Sequence, residues 1–231
     1  MYGPSRRFIE EPDSLHHKQL LHWRFDRTDA GVAKDSSGNG YDGTNNSATI
    51  DQPGKIKRAY SFGGSDSVDA AQAGLLSALA GSSNFAMSIW AAGNSFESYD
   101  AALSIADTGT NEAVTIFPFH NPGGMGGDDG VLVWFNNEEI IVYEGGSLPD
   151  ANGVFNQYGF QSNSATDHDL IINGVIVASS TANKTIDADI DIVTAGSYDS
   201  AAEFITADLD DARIWDRNLT QAEWTRLALG Q

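Results

Sequence analysis

Residues 209–230 read Leu209-Asp-Asp-Ala-Arg-Ile-Trp215-Asp-Arg-Asn-Leu219-Thr220-Gln-Ala-Glu223-Trp224-Thr-Arg-Leu-Ala-Leu-Gly230, and their periodicity changes partway along. Leu209–Trp215 is a strand-type run. From Leu219 the pattern becomes that of a helix start: Thr220 is placed as N-cap, Glu223 as its reciprocal partner in a capping box, and Leu219 with Trp224 as the hydrophobic staple. Gly230 is placed to stop the helix after one short stretch. The chain therefore closes on one strand and one short helix.

Upstream of this stretch the sequence consists of short β-type runs separated by turn residues: Leu20–Phe25, Ala59–Phe62, Phe85–Trp90, Ala101–Ile105, Ala113–Phe119, Val131–Phe135, Ile140–Tyr143, Tyr158–Gln161, Leu170–Ile172, Val175–Ala178 and Ile190–Val193. Asn173-Gly174 separates two β-branched runs and supplies the positive φ angles of a type I′ hairpin. A second short helix is expected over Gln72–Leu79. So many short strands at this spacing predict an all-β sandwich or barrel of one domain, residues 20–231, behind an N-terminal arm of residues 1–19 that has neither period.

The net charge of −19 is unevenly spread. Residues 1–58 hold nine Lys or Arg against eight acids, whereas 59–212 hold Lys184 alone against 22 acids. Such a body repels a phosphate backbone, so nucleic acid is not an expected ligand. No window approaches the roughly 18 to 20 apolar residues of a membrane span, and the first residues lack the apolar core of a secretion signal. With no cysteine, a metal would have to sit on oxygen or imidazole.

Several segments resemble the laminin-G-like domains of the concanavalin A-like lectin/glucanase superfamily. They are Leu21-His-Trp-Arg-Phe-Asp26 with Asp35-Ser-Ser-Gly-Asn-Gly-Tyr-Asp-Gly43, then Gly54–Gly64, then Phe85-Ala-Met-Ser-Ile-Trp90, and the closing Leu209–Glu223. Gly63 stands where that family usually has Asp, and Phe155-Asn-Gln-Tyr158 replaces its Trp-His-His motif. The resemblance implies a jelly roll of two antiparallel sheets with one short C-terminal helix. It includes carbohydrate binders, adhesion modules, virion proteins and glucanases, so fold alone does not name the function.

Retaining glucanases need two carboxylates about 5–5.5 Å apart, as same-face residues on one strand. Of the nearest candidates, a strand would put Glu139 and Glu144 on opposite faces, while Asp187, Asp189 and Asp191 alternate correctly but include no Glu and sit near a turn, and no histidine has a triad setting. No catalysis is expected. The glycine-rich stretch Gly123–Gly130 lacks the Lys-Ser/Thr of a phosphate loop and is read as a surface loop.

Asp35, Ser37 and Asn39 with Gly40 match the first half of a calcium loop, but position 12 is Asn46 rather than Glu. An Asx-turn without an ion is the alternative. The family resemblance implies a structural calcium joining this loop to the closing strand, which adds Asp42 and Asp210. Trp134, Phe135 and Tyr143 are aromatic candidates for a sugar site, with core packing as the other reading. The arm carries Tyr2, Arg6, Arg7 and Phe8, the composition of an anchor. The expectation is a non-catalytic virion protein, a decoration or attachment module on a phage capsid or tail held by its arm. The alternative is a carbohydrate-binding or adhesion module of a secreted protein. Expected partners are capsid or tail proteins, glycans, or further copies of the chain.

Overall fold

The structure is a computed structural model that describes residues 14–26, 31–93, 99–110, 112–120, 130–144 and 153–231. The anchor candidates Tyr2, Arg6, Arg7 and Phe8 lie outside the described residues, as do positions 123–129 of the glycine-rich stretch.

In chain order the described strands begin with β1 (Gln19–Trp23), β2 (Val32–Ala33), β3 (Gly43–Asn46), β4 (Thr49–Pro53), β5 (Arg58–Gly63) and β6 (Ser67–Ala70). Helix α1 (Ala73–Leu79) precedes β7 (Phe85–Gly93), β8 (Leu103–Asp107), β9 (Glu112–His120), β10 (Gly130–Phe135) and β11 (Glu139–Tyr143). The remainder is β12 (Asn156–Ser164), β13 (Asp167–Ile172), β14 (Val175–Ser180), β15 (Ile192–Ala195), β16 (Thr206–Trp215) and helix α2 (Gln221–Ala228). One sheet runs β14-β13-β12-β7-β16-β5-β4, with β1 also on β16; the other runs β11-β10-β9-β8-β15-β6-β3-β2. All strand pairs are antiparallel, as the expected jelly-roll sandwich requires.

The main core lies between the sheets. Phe85, Met87, Ile89 and Ala91 of β7 and Tyr158 and Phe160 of β12 face Leu103, Ile105, Val114, Ile116, Val133 and Phe135 from the other sheet. Strand alternation sends the intervening side chains outward, and on both sheets many of these are apolar too.

On the first sheet the outward cluster is Leu15, Ala86, Ile171, Trp215, Leu219, Trp224 and Leu227. Helix α2 covers it. The capping box is present, because Thr220 accepts from the Glu223 N–H while the Glu223 side chain accepts from Thr220. Trp224 packs against β12 at Gly159, where a Cβ would come within 2.5 Å of its ring. The hairpin turn has Asn173 at φ 49° and Gly174 at φ 77°, the type I′ signature. Helix α1 starts at Ala73, within the expected Gln72–Leu79 stretch.

The folded body begins earlier than Leu20. Leu15 sits in the α2 cluster, and its carbonyl accepts the Trp215 Nε1–H at 2.7 Å. The strands not anticipated, β2, β3, β4 and β6, are short, and β3 and β4 are largely polar. Asn156 and Gln157, at the divergent motif, bond Asn173 and Ser88 within the sheet. No helix among the described residues is long and apolar enough to cross a membrane.

Candidate functional site

The outward face of the second sheet is also apolar, and among the described residues no helix covers it. Ala101, Ala106, Ala113, Phe117, Leu132 and Tyr198 form its cluster, with Tyr99 and Trp134 packed against them. A row of small polar residues, Thr194 on β15, Ser104 on β8 and Thr115 on β9, runs across the strands and ends at Trp134 on β10. Ser104 and Thr115 share a hydrogen bond of 2.7 Å, so the buried row is self-satisfied.

Two short segments rise over this face and leave an open cleft of about 330 Å³. Tyr99 comes from the segment before β8. Its ring stands at 82° to Phe117 and 83° to Trp134, with centroids 5.8 and 6.0 Å apart. Tyr198 comes from the β15–β16 connection and lies 18° from parallel to Phe117 at 6.5 Å. That connection is held as a tight loop: Tyr198 N–H donates to Ala202, Ile205 N–H to Gly196, and Ala101 N–H to the Glu203 carbonyl. Ser200 and Glu203 adopt positive φ, a conformation costly for such residues unless neighbours impose it.

The cleft's polar lining is Asn137, Asp199 and Glu203. Asp199 Oδ1 accepts from the Ala201 and Ala202 N–H groups at 2.9 Å each. Glu203 has its carboxyl pushed up from the ordinary value by desolvation and then by the charge of Asp199. At the rim, Tyr99 Oη donates to Glu139 at 3.0 Å. Trp134 Nε1 has no partner among the described residues. The volume and the mix of aromatic walls with a few convergent polar groups suit a small-molecule site, for which about 300–1,000 Å³ is usual.

Of the aromatic candidates, Trp134 lines the cleft. Phe135 points the other way into the main core, and Tyr143 packs against that core. Tyr99, Phe117 and Tyr198 were not anticipated, because a turn tyrosine and an apolar strand residue look the same whether they line a site or not.

The five calcium candidates do not converge. Asp35 accepts from His22 N–H, Ser37 N–H, Ser37 Oγ–H and Tyr41 N–H, which occupies both its oxygens. Ser37 and Asn39 bond the Leu20 carbonyl, and Asp42 takes Lys34 Nζ and the Asp35 N–H. This is the Asx-turn arrangement. Asp210 faces the 54–58 loop instead, accepting from Ile56 N–H at 2.7 Å while its Oδ1 is buried and unpartnered. Burial, opposed by that bond, pushes its carboxyl up to about 8, with Asp211 and Asp26 adding repulsion. Among the described residues no three carboxylate or imidazole groups gather in an arrangement to hold a metal. The set does not fit calcium as a set; only Asp210 keeps a free oxygen.

The carboxylates weighed for catalysis have other work. Asp191 binds Thr108 through both oxygens, Asp187 closes a turn on Asp189 N–H, and Glu139 holds Tyr99. His22 is bonded to Asp211 and His168 to the Ala182 carbonyl.

A laminin G family model of the concanavalin A-like lectin/glucanases superfamily matches residues 62–223, well over half of the sequence. The chain belongs to this family. No curated protein matches this laminin-G-like chain in sequence. Solved structures do match its fold. Domain 4 of AbnA, an extracellular GH43 arabinanase from Geobacillus stearothermophilus, solved in complex with arabinotriose, is similar at TM-score 0.69 and 21% identity, covering 91% of this chain and 98% of that one. The botulinum neurotoxin serotype D binding domain gives 0.68 at 14% identity, covering 95% and 53%. The binding domain of Paraclostridial Mosquitocidal Protein 1 gives 0.67 at 15%, covering 93% and 52%. The laminin-G-like chain thus spans about half the length of the toxin binding domains.

Proposed function

We propose that this chain is a glycan-binding module and that the sugar enters the cleft formed by Tyr99, Phe117, Trp134 and Tyr198. The observation that carries the reading is an aromatic outer face that the described residues leave open on one sheet while its counterpart on the other is sealed by α2. Flat aromatic faces bury the C–H faces of a sugar ring, and carboxylate and amide groups at the edge accept and donate to its hydroxyls. The arabinanase domain that shares this fold holds an arabinotriose, which supports the same class of ligand. The lack of a Glu-x-Asp-x-x-Glu strand pattern in the sequence supports binding without hydrolysis.

Attachment to a capsid or tail depends on Tyr2, Arg6, Arg7 and Phe8, and no described residue favours it over secretion. Calcium is retained only as a ligand for Asp210.

Titration of the protein with neutral and charged oligosaccharides, followed by calorimetry, tests the reading. Saturable binding that Trp134→Ala removes, with the circular dichroism spectrum unchanged, is the expected result. Binding unaffected by Trp134→Ala and Tyr198→Ala would move the site elsewhere.

A further inference from the structure

Resting on that reading, we infer that the sugar taken by the cleft carries a protonated amine: a hexosamine with its amino group free, in preference to neutral or acidic sugars. The inference stands on the juxtaposition of aromatic faces and carboxylates in a lining whose described residues include no Lys, Arg or His.

The absence of positive charge extends beyond the lining. Every residue lining the cleft, and every segment between 59 and 212, is drawn from a stretch whose only Lys or Arg is Lys184. Lys184 is committed, 3.1 Å from Glu138 Oε2 and bonded to the Asn136 carbonyl. Asp199, Glu203 and Glu139 therefore face the cleft and its rim without a basic side chain of the lining to balance them. A ligand that fills the cleft displaces the water that now screens these groups, and their mutual repulsion grows as the local dielectric falls. Hydroxyl donors relieve that in part, whereas an ammonium neutralises it. An anionic sugar adds to it.

The walls favour the same group. The faces of Tyr99 and Trp134 meet at near a right angle, so a group in that corner contacts one ring face and one ring edge or two faces obliquely. Aromatic faces attract a cation through the ring quadrupole, most strongly when it is desolvated and most strongly at tryptophan. Aromatic faces with carboxylates beyond them make a cation site; either one without the other serves neutral ligands as well.

The test compares three β-1,4 trisaccharides that share a backbone, with sialyllactose as the anionic trisaccharide. The full chain is titrated with the β-1,4 trimer of glucosamine, its N-acetylated form, cellotriose and sialyllactose, using the wild type, Glu203→Gln and Trp134→Ala. The expected result is roughly tenfold tighter binding of the free-amine trimer than of its acetylated form, and no binding of sialyllactose. Glu203→Gln should erase most of the preference for the amine over the acetylated trimer, and Trp134→Ala should remove binding of both. Equal affinity for the amine, acetylated and neutral trimers overturns the charge inference and leaves the glycan reading intact. Tighter binding of sialyllactose also overturns it. Failure of every sugar to bind overturns both.

Discussion

His22 Nε2 lies 2.7 Å from Asp211 Oδ1, so buried side chains tie the first strand to the closing strand across 189 positions of sequence. Arg213 completes the cluster, its Nε 2.8 Å from Asp211 Oδ2. The pair sits where β16 changes partner, from β5 up to Leu209 to β1 from Ala212 onward, with Asp211 at φ 52° in the irregularity between. Asp211→Ala leaves a buried guanidinium without its counter-charge and is expected to destabilise by about 3–5 kcal/mol in chemical unfolding.

The same cluster sets an acid limit. Burial lowers the His22 imidazole below its ordinary 6.5, against the opposing bond from Asp211. The unfolded chain therefore binds the proton more readily, so His22 contributes stability above about pH 6.5 that is lost as pH falls toward its folded value. His22→Gln should flatten the unfolding free energy between pH 7 and 5. An unchanged slope would mean that His22 binds its proton equally well in the native and unfolded states.

Asp210 acts in the opposite direction. Its carboxyl is raised from 3.8 to about 8, so its contribution is fully present below pH 4 and lost as pH rises to 8. Asp210→Asn is expected to remove most of that slope. The measurement also tests calcium: an ion on the free Oδ1 lowers the carboxyl and raises the melting temperature only when Asp210 is present. Identical melting curves in calcium and in chelator withdraw the cofactor.

Gly159→Ala would push a methyl into the Trp224 ring that lies on it. The expected cost is about 1–3 kcal/mol from overpacking, with α2 lifting from β12. Thr220→Ala should cost about 1 kcal/mol by loss of the cap, without displacing the tryptophan. Near-ultraviolet circular dichroism distinguishes the two, because only the first alters the surroundings of Trp224.

Truncation separates arm from body. Removal of residues 1–13 is expected to leave the melting temperature within a degree or two, whereas removal of 1–19 also deletes Leu15 and the acceptor of Trp215 Nε1 and should lower it by several degrees. If Tyr2, Arg6, Arg7 and Phe8 anchor the protein, the shorter deletion abolishes self-association or particle binding in sedimentation. Unchanged association excludes the arm as anchor.

The sandwich is readable in the sequence because strands such as Phe85–Trp90 and Leu170–Ile172 announce themselves by apolar, β-branched composition, and because Asn173-Gly174 and the Thr220 capping box have stereochemistry of their own. Gly43–Asn46 and Thr49–Pro53 carry almost no apolar residue, so nothing local marks them. At Gly43 the constraint is tertiary: a Cβ would lie 2.6 Å from Val68. The cleft was hidden for a related reason. Both faces of the second sheet are apolar, so Ile116, facing in, and Phe117, facing out, look alike, and alternation of polarity cannot assign them. Tyr198 to Glu203 read as a turn, and only the loop's own hydrogen bonds turn them toward Phe117.

Leu15 packs with Trp224 and Leu227, and Gln231 borders the same hollow as Leu15 and His16. The polypeptide thus enters and leaves the described body on the side of α2, with the whole thickness of the sandwich between that side and the aromatic cleft. A bead, a sensor surface or a fused protein joined through the C-terminal Gln231 would stand behind the module and leave its ligand-facing side open to solution. Many copies fixed this way in a row would present their clefts in one direction, which favours simultaneous grip on a long, repeating polymer over capture of a single free sugar.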